Sequence, residues 1–238
     1  MSKIILFDLN NIAFSLINRR KLNKEGLTRY TEAIAKKFDC EKIIVAMDGK
    51  RGQYWRNDVF PDYKMHRPVR NTELRDKLLK VCDEYPVVLR DKLEADDLIA
   101  HAARSGRYDE VIGVSEDSDF AQLGIFKCFR QYQPRKDKFI QYTPKQALYS
   151  LLDKTLRGDR KDNILKSHYQ RQIRKAQFIS VLDEIYDDLV QCMVEEELSV
   201  RNAPIRQIAL KHLYLNFYLD ISLFHRNFTL LNLIQKEF

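Results

Sequence analysis

Short apolar runs, each closed by a carboxylate, alternate with segments of helical spacing through the first half of this chain. Lys3 to Asp8 has the pattern of a buried strand ending in an acid, and Lys42 to Asp48 repeats it. Val111 to Ser115 is a third such run, followed at once by Glu116, Asp117, Ser118 and Asp119, and Tyr85 to Leu89 is a shorter strand candidate. Between these runs the period changes. Thr28 to Phe38 sets Tyr30, Ile34 and Phe38 on one helical face, and Asn71 to Glu84 sets Leu74, Leu78 and Val81 in register. Leu93 to Ala103 reads as a helix with Glu94, Asp96 and Asp97 in its first turn, where the helix dipole favours anions.

Strand and helix in alternation predict an α/β fold, a central, mostly parallel sheet wrapped by helices. In such sheets the functional crevice lies beyond the carboxyl ends of the strands, where Asp8, Asp48, Asp117 and Asp119 all fall. Beyond about Pro144 the strand pattern stops. Pro144 to Leu156, Tyr169 to Val181, Leu182 to Val194 and Pro204 to Leu219 read as helices. No linker rich in Gly, Ser or Pro separates the two parts. The expected organisation is therefore an α/β core over 1–143 and a helical region over 144–238 packed against it. The run Leu230, Leu231, Leu233, Ile234 fits a partner-docking strip or, by preference, a core-facing helix.

Composition narrows the classes. The 238 residues are 45% hydrophobic and 32% charged, an ordinary globular balance with enough apolar matter for a real core. No apolar stretch approaches membrane-spanning length, and Asp8 interrupts the N-terminal run, so a cytoplasmic protein is expected. Cys40, Cys82, Cys128 and Cys192 are scattered without zinc spacing, and no two of the five histidines have ligand spacing. With seven glycines and no phosphate-cradling loop, a nucleotide-cofactor enzyme is disfavoured. The net charge is +7, a positive balance suited to a polyanionic partner.

The acids are the candidate chemistry. Asp8, Asp48, Glu94, Asp96, Asp97, Asp117, Asp119, Asp159 and Asp162 form five short motifs. Gathered in one cleft they repel, at about 4 kcal/mol for two unit charges about 4 Å apart at an effective dielectric near 20. Such a nest needs protonation or cations, and hard carboxylate oxygens suit Mg2+ or Mn2+. Taken singly, each motif also has an ordinary structural explanation, as a cap, a turn or a dipole complement. The segment 51–70 differs in kind: Arg51, Arg56, Lys64, Arg67 and Arg70 interleave with Tyr54, Trp55, Phe60 and Tyr63. Cations on phosphate and rings on bases would serve a nucleic-acid strand, although the rings could equally pack on the core. Arg160, Lys161 and the basic residues after them could grip a duplex backbone or form an exposed face.

Taken in order, Asp8, Asp48, Tyr54-Trp55-Arg56, Tyr63-Lys64-x-x-Arg67, Glu94-Ala95-Asp96-Asp97, Ser115-x-Asp117-x-Asp119-Phe120-x-Gln122-Leu123 and Gly158-Asp159-x-x-Asp162-Asn163 resemble the flap endonuclease (5′-nuclease) family. The form of two motifs, Tyr54-Trp55-Arg56 and Gly158 to Asn163, is most like the RNase H type of the T-even bacteriophages. The likeness spans about two-thirds of the chain, from Asp8 to Asn163. It implies a PIN-like 5′-nuclease core and a metal-dependent phosphodiesterase acting at 5′ ends of DNA or RNA-primed DNA. Exonuclease, flap endonuclease or RNase H activity would serve primer removal in phage replication.

The resemblance also implies roles. Asp8, Asp48, Glu94, Asp96, Asp117, Asp119, Asp159 and Asp162 would be ligands of two or three Mg2+ or Mn2+ ions, with Asp97 in a water-mediated or bridging position. The segment 51–70 would be an arch, with Arg56, Lys64 and Arg67 on phosphates and Tyr63 stacked on a base, and Arg51, Tyr54, Arg70, Arg160 and Lys161 as further contacts. Lys64, Arg67, Asp96 and Asp119 would carry catalysis. The partners implied are branched, nicked or flapped duplex DNA and RNA–DNA hybrid, with replication proteins such as a single-strand-binding protein or sliding clamp and no membrane. One departure stands out: Ile164 to Tyr169 lacks the glycine-rich hairpin usual in the family, which leaves the duplex grip and any potassium site open. The competing readings are a non-catalytic DNA-binding protein on this fold, a shorter PIN-type ribonuclease, and a haloacid-dehalogenase phosphatase. The last needs a second Asp where Asn10 stands.

Overall fold

A computed structural model describes residues 2–18, 23–66, 78, 80, 86–170, 172–200 and 202–234. Its centre is a six-stranded sheet: β1 (Lys3–Asp8), β2 (Ile43–Met47), β3 (Val87–Leu89), β4 (Glu110–Val114), β5 (Phe129–Gln133) and β6 (Lys138–Ile140). The strand order is β3-β2-β1-β4-β5-β6. All neighbours run parallel except β6, which pairs antiparallel with β5 at the edge. The mostly parallel sheet expected from the alternating pattern is therefore present. The order reverses at β1, whose neighbours β2 and β4 are its next strands on either side, and the crevice of a doubly wound sheet opens at such a switch point.

Helices cover both faces, as buried parallel strands require. On one face α1 (Leu9–Asn18) and α2 (Lys24–Lys37) bury Leu9, Ile12, Leu16, Leu27 and Ile34 against Ile5, Phe7, Val45 and Ile112. After the short α3 (Trp55–Val59), α4 (Ala95–Arg104) packs Leu98, Ile99 and Ala103 on the other face with Ile4, Leu6, Val111 and Phe129. Residue parity along β1 explains the division: Ile5 and Phe7 face one layer, Ile4 and Leu6 the other.

From α5 (Pro144–Arg157) onward the chain is helical: α6 (Lys175–Glu195), α7 (Ile205–Phe217) and α8 (Ile221–Leu231). Thr143 and Gln146 close a capping box at the start of α5, with Pro144 in the first turn. A separate apolar cluster joins Leu148, Leu151 and Leu152 of α5 to Leu182, Leu213 and Phe224. The chain then returns to the sheet layer: Leu233 is buried beside Ala95 and Phe120, and Arg104 Nη1 donates to its carbonyl at 2.7 Å. The Leu230–Ile234 strip thus faces the interior.

One expectation needs correction. Tyr169 to Val181 and Leu182 to Val194 are not two helices; residues 175–195 form one continuous helix, and 169–174 is not helical among its described residues. The pattern did not reveal α1, which starts directly after Asp8, with Asp8 Oδ1 accepting from Asn11 N at 3.1 Å in capping fashion. Strands β5 and β6 did not show in the pattern because Arg130, Gln131, Gln133 and Lys138 dilute their apolar content. The helix expected over Asn71 to Glu84 lies largely outside the described residues, though Leu78 and Lys80 are helical. Among the described residues no helix is long and apolar enough to cross a membrane.

Candidate active site

The loop after β4, the first turn of α4, the segment after α3 and the end of α5 with the loop that follows it line one cleft of about 290 Å³. Its lining includes Tyr63, Lys64, Asp96, Asp117, Asp119, Lys154, Asp159 and Asp162. Asp8 is outside that lining, and the charges of Asp48 and Asp117 add to the cost of ionising it.

At the strand-end side the acids are steadied by neutral donors. Asp8 Oδ2 accepts from Ser115 Oγ at 3.0 Å, and Asp48 Oδ1 from Ala95 N at 2.8 Å, which docks the start of α4 onto β2. Gln131 Nε2 donates to the carbonyls of Ser115 and Asp117 at 2.8 and 2.7 Å, shaping the loop that carries Asp117 and Asp119. Loss of water and the nearby Asp48 push the Asp8 carboxyl up from 3.8 to about 7. Asp119 rises to about 6, through burial and the charge of Asp117, with Lys154 opposing.

At the other side the acids meet cations. Arg56 is buried, with Nη1 donating to Glu94 Oε2 and Asp97 Oδ2 and Nη2 to Asp97 Oδ1, all at 2.8 Å. Its Nε donates to the Leu230 carbonyl at 2.8 Å. Lys64 pairs with Glu94, and Tyr63 Oη reaches Glu94 Oε2 at 2.9 Å and Asp162 Oδ2 at 3.2 Å. Burial would raise the Glu94 carboxyl, but the Lys64 and Arg56 charges outweigh it and hold the group below its ordinary value. Asp96 is pushed well up, by desolvation and by Asp97 and Glu94, against the pull of Arg56.

Residues 51–64 are clamped onto the Asp159/Asp162 loop. Lys64 N donates to the Asp162 carbonyl at 3.0 Å, Asn163 Nδ2 to the Asp62 carbonyl at 3.1 Å, and Arg51 Nη2 to the Lys64 carbonyl at 2.8 Å. Lys64 itself is left-handed at φ 57°, a strained setting for a lysine that these bonds hold in place. The acidic loop is set by Gly158 at φ 72°, where an added Cβ would lie 2.3 Å from the Ile164 carbonyl oxygen. Asp159 Oδ1 then accepts from Lys161 N at 2.9 Å.

The structure thus brings Asp96, Asp117, Asp119, Asp159 and Asp162 to one cleft, with Glu94 bonded to its Tyr63 and Lys64 wall and Asp8 linked by charge to Asp48 and Asp117. It assigns other work to three of the residues singled out in the sequence. Arg56 is 2% exposed and its guanidinium is spent on Asp97, Glu94 and Leu230, so it is a scaffold for the acids and not an open phosphate contact. Asp97 has both oxygens on that guanidinium and also accepts from Trp55 Nε1 at 3.1 Å, while Glu94, Asp96 and Asp97 each bring a carboxylate oxygen within 4.8 Å of the others, a grouping that could hold a metal ion. Tyr54 and Tyr63 are each 5% exposed and pack in the helical cluster, so neither ring is presented for stacking. Arg160 and Lys161 are exposed, and Lys64 is half-buried at the cleft wall. Arg67 and Arg70 lie outside the described residues.

Lys154 is the residue that the sequence reading missed. It pairs with Asp119 and lies 3.3 Å from Asp159 Oδ2. Its place five residues before Asp159, in the last turn of an amphipathic helix, was the available signal.

Residues 15–150, more than half of the chain, match the family model of the 5′-3′ exonuclease N-terminal resolvase-like domain. The chain belongs to that family. It is 29% identical over 188 residues to a ribonuclease H of Enterobacteria phage T4, a match covering 68% of this chain and 62% of that relative's length. Among solved structures it is similar to the T5 D15 protein co-crystallised with metal ions, with a TM-score of 0.68 and 19% identity over 97% of this chain and 89% of that one. A T5 5′-exonuclease with zinc bound gives a TM-score of 0.66 at 17% identity, over the same shares of the two chains. A complex of the T5 D15 flap endonuclease with DNA and metal ions gives 0.65 at 19%, again over 97% and 89%. At these identities the structural likeness establishes a shared fold.

Proposed function

We propose that this protein is a metal-dependent 5′-nuclease that hydrolyses phosphodiesters at the 5′ ends of DNA or RNA-primed DNA. The observation that carries the reading is the convergence of carboxylates from three separate segments, Asp96, Asp117 with Asp119, and Asp159 with Asp162, on one cleft, with Asp8 close enough to feel the charge of Asp117, in a chain of this family. A core has no use for such a nest; a cluster of divalent cations does. The donors fit that group. They are hard oxygens, and Asp96 Oδ1 is buried without a hydrogen bond, 3.8 Å from the nearest Arg56 nitrogen. Glu94, Asp96 and Asp97, whose carboxylate oxygens lie within 4.8 Å of one another, together with Asp8, Asp48, Asp117, Asp119, Asp159 and Asp162 would hold the ions; two Mg2+ or Mn2+ are the expected complement. Bound there, such ions make water nucleophilic at neutral pH and stabilise the departing oxygen.

The chain's own residues supply the rest. Lys64, braced by Glu94 and by the clamp on residues 51–64, offers an ammonium at the cleft wall to a phosphate oxygen. Exposed Arg160 and Lys161 border the cleft where a polynucleotide backbone would enter. Arg56 holds Glu94 and Asp97 so that Asp96 projects into the cleft from the same turn. Flapped or nicked duplex DNA and RNA–DNA hybrid are the proposed substrates. The known relatives' names for DNA and RNA strands support both.

The test uses a 5′-labelled flap, a nicked duplex and an RNA-primed duplex, each with Mg2+ or with chelator, resolved by product length. Magnesium-dependent release of short 5′ products is expected. Retention of all three substrates intact in Mg2+ and in Mn2+, with DNA still bound, would favour a DNA-binding protein on a nuclease fold instead.

A further inference from the structure

The basic groups inside the cleft do different things. Arg56 is scaffold: buried, forked and bonded at every nitrogen position to fixed acceptors. Lys154 is not. Its ammonium pairs with Asp119 and lies 3.3 Å from Asp159 Oδ2, at the end of a flexible four-carbon stem that is 22% exposed. The two acids do not need it for their placement. Asp119 is set by the loop that Gln131 ties down, with its own N–H donating to Asp117 Oδ1 at 2.9 Å. Asp159 is set by the left-handed Gly158 and by the Lys161 N–H. Two carboxylates held together by their own backbones, with a movable cation seated between them, form a cation subsite already filled from within.

We infer that Lys154 is a tethered cation that occupies the Asp119–Asp159 subsite and is displaced when a divalent ion binds there. The inference rests on the metal-dependent reading above. An ammonium in that place relieves the repulsion that Asp117 and Asp159 impose on Asp119, so the ion-free protein is more stable with it than without it. It also competes with the incoming ion and so lowers the apparent affinity of this half of the cleft relative to the Asp8–Asp48 half. The two ions should therefore bind in order, with the Asp119–Asp159 position last.

The experiment titrates Mn2+ into the substrate-free protein, followed by the paramagnetic resonance of free ion, for the unaltered chain, Lys154→Met, Lys154→Arg and Lys161→Met. Thermal melting is recorded in chelator and in saturating Mn2+. Lys154→Met should tighten the weaker ion about tenfold, equivalent to about 1.4 kcal/mol. It should lower the melting temperature in chelator and not in saturating Mn2+. Lys161→Met removes the same charge from the cleft rim and should change ion affinity by less than about twofold. Lys154→Arg keeps the charge and can fork across both carboxylates, so it should weaken the second ion. Unchanged or weaker binding by Lys154→Met, or an equal loss of melting temperature in both conditions, would overturn the inference while leaving the metal reading intact. Should Lys154→Met not fold, tighter ion binding by Lys154→Arg would overturn it alone. An absence of Mn2+ binding in every protein would overturn the metal reading and this inference together.

Discussion

The two ends of the cleft stabilise negative charge by opposite means. At the strand ends, Asp8 accepts from Ser115 and Asn11, and Asp48 from the N-terminus of α4, all dipolar donors. At the end beside residues 56–64, Glu94 and Asp97 are locked to Arg56 and Lys64, full cations at contact distance. The Asp8 carboxyl accordingly moves up and the Glu94 carboxyl down, although both are shielded from water. The hydrogen-bond partners of Asp8 at the first end are neutral, whereas the second end contains its own cations.

The sharpest way to break the comparison is at Arg56. If it is scaffold, Arg56→Met leaves Asp97 buried and uncompensated, and the loss of one partner from a buried ion pair costs about 3–5 kcal/mol. Denaturant unfolding at neutral pH should register that loss. Arg56→Lys should recover only part of it, since an ammonium cannot fork across both Asp97 oxygens. A variant of unchanged stability whose only defect is weaker DNA binding would return Arg56 to the phosphate-contacting role.

At the open end, removing a ligand should affect chemistry and spare the fold. Asp119→Asn is expected to slow phosphodiester cleavage by roughly 10²–10³-fold, the cost of losing one electrostatic element of a reacting centre. Flap binding measured by fluorescence anisotropy in Ca2+ should change little. Cleavage at the unaltered rate would remove Asp119 from the ligand set.

The contrast between the two ends also explains what was legible in the sequence. The strand-end acids could be read because a local pattern, an apolar run closed by Asp, implies a parallel sheet, and a parallel sheet implies a shared edge. The helical character of α2, α4, α5 and α7 followed in the same way from period and caps. The end beside residues 56–64 could not be read so. Arg56 and Asp97 lie 41 positions apart, and nothing in a cation-and-aromatic run says whether its partner is a phosphate or a buried carboxylate. Tyr54 and Tyr63 looked like stacking rings for the same reason; their burial depends on α8 and its neighbours, whose positions composition does not encode. Lys154 was hidden because its meaning lies in Asp119, 35 residues earlier in the chain.

Divalent ions should stabilise the open end selectively. With the ligand at about one hundred times its dissociation constant the gain is about 2.7 kcal/mol, and for a chain of this size that raises the melting temperature by roughly 5–10 °C. The pH dependence in chelator gives the sign. Asp8 and Asp119 titrate at about 7 and about 6 when folded, against 3.8 for an ordinary aspartate. Between pH ~4 and ~7 the folded protein therefore binds protons that the unfolded chain has released, and stability falls as pH rises through that window. Glu94 and Asp159 are shifted the other way, so their contribution is present above their ordinary values and is lost only at lower pH. Melting curves in chelator should decline from pH 5 to 7, and saturating Mg2+ should flatten the decline. A rise with pH in chelator would contradict the raised Asp8 and Asp119 carboxyls.

The smallest expected effect is at Tyr63, where the two ends meet. Its hydroxyl bridges Glu94 of the cation-locked side and Asp162 of the acidic loop, at 2.9 and 3.2 Å, while its ring stays in the helical cluster. Tyr63→Phe keeps the ring and removes one donor, which can serve only one carboxylate at a time. The cost should be about 1.5 kcal/mol, the lower range for a hydrogen bond to a charged group. If the hydroxyl matters chiefly for Asp162, part of that cost should vanish when an ion neutralises Asp162, and the gap in melting temperature should narrow in saturating Mg2+. If it matters chiefly for Glu94, which Lys64 and Arg56 already neutralise, the gap should be the same with and without the ion. A stacking role would leave Tyr63→Phe indistinguishable from the unaltered protein in both conditions, because phenylalanine stacks as well as tyrosine.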